Sequence, residues 1–361
     1  MYLVPGVYIS YPFCSQKCSF CNFASGVGTP GSVARYEHAL LEELRAHNWQ
    51  WLPDTLYLGG GTPSLMSSDL LCKLTSLIPN ERLREATIEC APGTITKEGL
   101  LVWRSCGINR VSFGVQSFVN AELRQTGRRH TAETVRAEAA LLRELSLNNI
   151  NYDLIAGLPG QTRESWEISL DWIARLEPSH VSVYLFETDE DSRLGNELLL
   201  GGTRYGAPQM PADDLMAELY ERAVERLAAL GWRRYEISNF ARRGYESRHN
   251  LKYWRLEPYC GFGLDAHSFD GKQRSSNPDT LEAYLTQSGQ SPSPTDASEE
   301  HFFVGLRLMD GIQPTSEEWI RFAQPIEKWL AAGMLERAGP HLRLSSSGVL
   351  VSNEIFQEFL A

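Results

Sequence analysis

The first half of the chain alternates short β-rich runs with longer amphipathic segments, and this alternation limits the fold more than any other feature. The runs are GVYIS (6–10), TLYLG (55–59), ATIEC (86–90), RVSFGVQ (110–116), INYDLIAG (150–157) and HVSVYLFE (180–187). Between them lie helical patterns. SVARYEHALLEELRAH (32–47) opens on Ser32 as its cap, and TAETVRAEAALLRELSL (131–147) on Thr131. TRESWEISLDWIARLEP (162–178) opens on Thr162 and stops at Pro178. Repeats of about 30–45 residues of this kind are βαβ units, which build a parallel sheet.

Six units are too few for a closed eight-stranded barrel, which leaves an open, partial barrel or a doubly wound sheet. The chemistry-bearing residues choose between them. Tyr8 and a cysteine cluster follow the first strand, Gly59–Gly61 the second, and Glu89, Gln116 and Asp153 sit near the ends of the next three. A barrel gathers all strand ends at one mouth, whereas a doubly wound sheet binds at its switch point. The expected fold class is therefore α/β, a partial (β/α)6 TIM-like barrel.

The remainder divides by composition. Residues 1–210 hold the barrel, ending in a Gly- and Pro-rich stretch (195–212) that reads as a loop or lid. Residues 211–290 extend it with a strong helix (211–231, stopped by Gly231) and a polar, aromatic stretch (233–269). QSGQSPSPTDAS (287–298) reads as a linker. Residues 299–361 read as helix, turn, helix, hairpin and last helix, the order of a small winged-helix-like domain. The net charge of −11 argues against nucleic acid as the main partner, which points that domain to a structural or docking role.

No apolar run reaches the roughly 18 residues that would span a bilayer. MYLVPGVYIS has no basic residue ahead of its apolar part and reads as a first strand rather than an export signal, so the expected location is cytoplasmic. Loose attachment to a membrane is compatible with that. The seven cysteines are an odd number: Cys14, Cys18 and Cys21 are clustered, while Cys72, Cys90, Cys106 and Cys260 are scattered. That favours metal or catalytic use over a disulfide framework.

Cys14, Cys18 and Cys21 are spaced CxxxCxxC, and Phe23 stands where a fourth cysteine could follow. Structural zinc takes four ligands and usually recruits a second pair, so a zinc site here is incomplete. An iron–sulfur cubane has four irons, and three thiolates leave one iron open to a substrate or cofactor. Three buried structural thiols are the plainest alternative.

YxxxPFCxxxCxFC directly after a first strand resembles the radical S-adenosyl-L-methionine (SAM) superfamily, whose open iron chelates SAM. LGGGTP (58–63) is similar to the glycine-rich motif that meets the methionyl amine. IECAPGT (88–94), INRVSFGVQSF (108–118), LRQTGRRH (123–130), NYDLIAGLPGQT (151–162), YEISNFA (235–241), HNLKYW (249–254) and GFGLDAHSF (261–269) resemble the oxygen-independent coproporphyrinogen III oxidase-like family in order and spacing. The resemblance implies a [4Fe-4S] cluster on Cys14, Cys18 and Cys21. It also implies SAM contacts from Tyr8, Gly60, Gly61, Thr62, Glu89, Gln116, Arg128 and Asp153. Arg128 offers a fork for the SAM carboxylate, and Glu89, Gln116 and Asp153 are acceptors suited to ribose hydroxyls and the sulfonium side. The chain departs from the family pattern at Ser10 and Tyr11 before the cysteines and at Ala91 after Glu89. None of these is a cluster ligand.

The decarboxylating members of that family resemble CxxxCxxCxC and carry a longer segment before the first cysteine. With Phe23 in the fourth place and Cys14 so early, this chain is more similar to the heme-chaperone branch. The expected function is to bind heme and transfer it to apo-hemoproteins, with respiratory ones as candidates. The alternative is a radical SAM enzyme acting on a tetrapyrrole. HNLKYW is the motif that the resemblance ties to heme. His249 is a neutral imidazole able to ligate iron, with Asn250 beside it, and Tyr253 and Trp254 supply flat apolar surface. Arg242, Arg243, Arg248 and Lys252 are candidate propionate partners, and His267 is a second candidate ligand.

Overall fold

A computed structural model describes residues 5–286 and 291–360. Six parallel strands follow one another across the sheet: β1 (Gly6–Tyr11), β2 (Thr55–Gly60), β3 (Glu85–Cys90), β4 (Arg110–Gln116), β5 (Asn149–Ala156) and β6 (His180–Leu185). Their connections carry α1 (Pro30–Ala46), α2 (Ser68–Ser76), α3 (Lys97–Ser105), α4 (Asn120–Gln125), α5 (Ala132–Glu144) and α6 (Arg163–Leu176). Both faces of the strands are covered, so β4 is buried at six of its seven positions, as a sheet wrapped by helices requires. Leu40, Leu71, Leu100, Val135 and Ile173 bring the helical layer onto that core, each worth about 1.5–3 kcal/mol relative to exposure.

Thr131 and Thr162 both cap their helices, each in a reciprocal capping box worth about 1 kcal/mol. Ser32 does not cap α1. Thr29 holds that place, and Ser32 is the third helical residue that bonds back to it, because Pro30 is well suited to the first turn.

The sheet is larger than six units. After α7 (Arg193–Leu199) and α8 (Asp213–Ala229) come β7 (Arg233–Arg234), β8 (Asn239–Ala241), α9 (Arg248–Trp254), β9 (Tyr259–Phe262), β10 (His267–Phe269), β11 (Gln273–Ser276), α10 (Leu281–Thr286) and β12 (Ser291–Pro294). The strand order is β12-β11-β10-β9-β1-β2-β3-β4-β5-β6-β8-β7. β9 pairs parallel with β1, Gly6 opposite Tyr259, and so adds a seventh parallel strand on the far side of β1. Among the described residues no pairing joins β12 to β7.

Two compositional expectations are corrected. The stretch 195–212 is not a bare loop: it contains most of α7 and a 3-10 turn, Arg204–Gln209. Within 287–298, residues 287–290 lie outside the described residues, while Ser291–Pro294 forms a strand antiparallel to β11 and a helix begins at Ala297. Pro292 and Pro294 are tolerated because β12 is the edge strand. The C-terminal elements are α11 (Ala297–Gly305), α12 (Ser316–Arg321), α13 (Ala323–Ala331), the hairpin β13 (Leu335–Ala338) and β14 (His341–Leu344), α14 (Ser346–Leu350) and α15 (Ser352–Gln357). The hairpin and flanking helices are present, but three helices precede the hairpin and two follow it, where one fewer was expected on each side. No helix among the described residues is long and apolar enough to cross a membrane.

Candidate functional site

The loop after β1 is folded onto the end of β2 by backbone hydrogen bonds. Cys14 N–H donates to Gly26 O at 2.9 Å, and Gly26 N–H to Pro12 O at 2.9 Å. Gly61 N–H donates to Tyr11 O at 2.8 Å and Thr62 N–H to Phe13 O at 3.0 Å. The close approach explains the glycines. A Cβ on Gly61 would lie 2.6 Å from the Pro12 carbonyl carbon and 3.0 Å from Cys14 Sγ, and Gly60 has φ +104°.

Above the strand ends lies a cavity of about 1040 Å³. Cys14, Cys18, Cys21, Gly60, Gly61, Thr62, Glu89, Gln116, Arg128 and Asp153 all line it, and Asn250 reaches it from α9. Tyr8 is the exception among the expected SAM residues. Its ring stacks on Tyr57, centroids 6.1 Å apart, and it is Tyr57 that faces the cavity. Gln116 is aimed by a register shift in the β4–β5 ladder and sits at φ 68°, the bulge geometry that re-directs a side chain.

The electrostatics are those of a partly dry pocket. Burial, reinforced by the neighbouring Asp153, lifts the Glu89 carboxyl to about 7, against the pull of a 2.8 Å hydrogen bond from Tyr57 Oη–H. Burial likewise raises Asp153, whose carboxylate accepts from Asn151 Nδ2 at 2.8 Å and Ser112 Oγ at 3.3 Å. Burial is also the main cause that raises the Cys14 thiol, and the nearby Cys21 and Cys18 add to it. Arg128 gives one guanidinium arm to Gly114 O at 2.6 Å, but its Nε is buried without a partner.

Sequence reasoning missed Arg110. It is 1% exposed, lines the same cavity, and its Nε has no hydrogen-bond partner. A charged group at the start of a strand reads as surface, but the two-residue alternation of β4 puts Arg110 on the face of Ser112 and Gly114, which line the same cavity. His130 was also missed. It lines the cavity and is held near 4, thus neutral, by burial and by Arg128. Arg307 and residues Val349–Glu354 add a wall from the C-terminal elements.

Three thiols on one cavity fit a cubane, which spreads its cysteines over three different irons. Among the described residues no group of three or more His, Cys, Asp or Glu converges on a single-ion site. Phe23, 65% exposed, stands on the rim where a fourth thiol would be.

The heme motif is arranged differently from the expectation. His249 is fully buried, not open. Its Nδ1 is 2.9 Å from Thr55 Oγ1 and its Nε2 2.8 Å from Tyr253 Oη, so both nitrogens are engaged. Burial, then the charges of Lys252 and Arg110, lower it to about 3 and keep it neutral. Lys252 is paired with Asp54 at 2.8 Å and Glu257 at 3.1 Å, and Arg242 lies 3.9 Å over Trp232. Neither is poised for a propionate. Trp254 is covered by Arg307 at 4.5 Å, Arg243 and Arg248 are exposed, and His267 is exposed beside Asp265.

The Radical SAM superfamily model matches residues 8–173. Across 98% of this chain and 98% of its own length, the heme chaperone HemW of Bacillus subtilis is 32% identical. The chain belongs to the HemW family. The HemW of Escherichia coli is 30% identical over 98% of both chains. Among solved structures, the coproporphyrinogen III oxidase HemN of E. coli superposes with a TM-score of 0.83 at 21% identity, covering 99% of this chain and 90% of that one. That likeness confirms the fold: a mixed α/β architecture on a parallel sheet, as in radical SAM proteins. Membership of this family implies a [4Fe-4S] cluster and SAM.

Proposed function

We propose that this chain is a heme chaperone, which binds heme and hands it to apo-hemoproteins in the cytoplasm, respiratory ones among them. Similarity to HemW proteins over 98% of the chain carries this reading. Phe23 supports it against the decarboxylase alternative, because the site offers three cluster thiols and an exposed phenyl ring in the fourth place. In this reading residues 1–210 form the SAM barrel, 211–290 its heme-motif extension, and 299–361 a docking domain that also walls the cavity. Loose contact with membrane-bound acceptors is part of the proposal.

Cys14, Cys18 and Cys21 would hold the cluster, and Gly60, Gly61, Thr62 and Arg128 the amino-acid end of SAM. Glu89, Gln116 and Asp153 would take its ribose and sulfonium side, with Tyr8 backing Tyr57. When bound, the cluster supplies an open iron for SAM and an electron. The chain's own contribution is to orient SAM and exclude water. Glu89, with its acid raised to about 7, would hold or release a proton as SAM arrives.

Ligation of heme iron by His249 requires Nε2 to give up Tyr253, so the motif works as a latch rather than an open site. Asn250 is its one face on the cavity. The test is anaerobic reconstitution followed by parallel assays. Hemin titration should give a Soret band that passes to apo-myoglobin, with no protoporphyrinogen formed from coproporphyrinogen. Turnover with SAM and a reductant, without hemin binding, would reverse the assignment. The Tyr253→Phe variant should bind hemin more tightly and His249→Ala should lose the sharp band. Native-like spectra in His249→Ala would place heme elsewhere on the chain.

A further inference from the structure

The cysteines that the sequence scatters are not all apart. Cys72 lies in α2 and Cys106 immediately after α3, 34 residues later, and their sulfurs are 3.1 Å apart. Cys72 is exposed and Cys106 half-buried, and both are free thiols. Both sit on fixed backbone. Cys72 is inside a helix whose first turn is capped by Ser67, and Cys106 N–H donates to Val102 O at 2.9 Å. A disulfide bond is about 2.05 Å long, so roughly 1 Å of approach separates contact from bond. Neither residue lines the cluster cavity. The proposed function gives them no task.

We propose that Cys72 and Cys106 form a reversible redox site on the outer helical layer, oxidised by low-molecular-weight disulfides of the glutathione class. The exposed Cys72 thiolate attacks the small disulfide, forming a mixed disulfide and releasing one thiol. Cys106 then attacks the Cys72 sulfur, the protein disulfide forms, and the second small thiol leaves. Two protein thiols are oxidised, one small disulfide is reduced to two thiols, and the two protein protons end on those thiols. An excess of reduced small thiol reverses the sequence. The bridge ties α2 to the end of α3 and closes a loop that contains all of β3, and with it Glu89. In a reducing compartment a pair of this kind is transient and senses its surroundings rather than stapling the fold.

The test uses anaerobically reconstituted full-length protein, treated with oxidised glutathione, quenched with an alkylating agent and mapped by mass spectrometry. The expected result is a Cys72–Cys106 linked peptide lighter by two hydrogens, with cluster absorbance unchanged. The Cys106→Ser variant should instead retain glutathione on Cys72, because the resolving thiol is gone, and Cys72→Ser should give no crosslink. Far-UV circular dichroism and cluster absorbance of both variants confirm that they fold. Stable glutathionylation of Cys72 in the native chain, with Cys106 still alkylatable, would overturn the proposal. So would two thiols that both stay free while glutathione reacts elsewhere.

Discussion

The barrel mouth and α9 carry the two motifs that mark this chain, and their polar atoms behave in opposite ways. At the mouth, polar groups are left over. The buried Nε atoms of Arg110 and Arg128 have no partner, and Glu89 keeps its proton up to about pH 7. Such groups cost free energy unless something arrives to meet them. In α9 most polar groups are used up, the buried Trp254 Nε1 being the exception. Glu85 accepts from the Arg248 and His249 N–H groups at 3.0 Å, at the positive end of the helix. Lys252 meets two carboxylates, and both His249 nitrogens are bonded. The mouth is built to receive; α9, in this state, fastens β2 and β3 to the extension behind them.

The contrast can be broken in five places. Replacing Cys14, Cys18 and Cys21 together with serine should abolish the broad visible absorbance of the reconstituted cluster while the fold survives; a retained band would mean another ligand set. His249→Ala should destabilise by about 2–4 kcal/mol in denaturant titration, because it strands the buried Thr55 hydroxyl and leaves a void beside Tyr57. A loss below ~0.5 kcal/mol would show α9 to be a loose latch rather than a fastener.

Glu89→Gln works through pH. The acid is raised from 4.5 to about 7, so the folded ligand-free protein holds a proton that the unfolded chain releases between those values. Stability of the native chain should fall as pH rises through that window. The glutamine variant should therefore be more stable above pH 7, by on the order of 1–3 kcal/mol, and equal to native below about pH 4.5. Parallel curves for the two proteins would refute a buried, raised acid. The smallest effects belong to Asn250→Ala and Phe23→Ser, each within about 0.5 kcal/mol of native stability, since both side chains reach the cavity or solvent.

The sheet's first six strands were legible, and so were α1, α5 and α6, because those runs are long and periodic and α5 and α6 open on Thr caps; the shorter α2, α3 and α4 were not read. The cysteine triad and the strand-end residues of the mouth were legible because each strand delivers its own. β9 was not: YCGF is short, and its partner is β1, some 250 positions earlier, which no local period announces. β12 hid behind its prolines. The Cys72–Cys106 contact and the occupied nitrogens of His249 depend on which residues meet across elements. The sequence offers His249 as a neutral imidazole, but its availability is decided by Thr55 and Tyr253.

The pairing of β1 has a consequence for how the chain is made. β1 lies between β2 and β9, and β9 begins at Tyr259. During synthesis the strand that launches the cysteine loop is an open edge, with unpaired backbone groups along one side, until that distant segment leaves the ribosome. The loop can fold onto β2 early, yet its foundation is fixed only late. Iron–sulfur delivery therefore meets a firmly seated triad only after β9 has been made, and premature termination before residue 259 yields a fragment with an adhesive edge rather than a smaller working barrel.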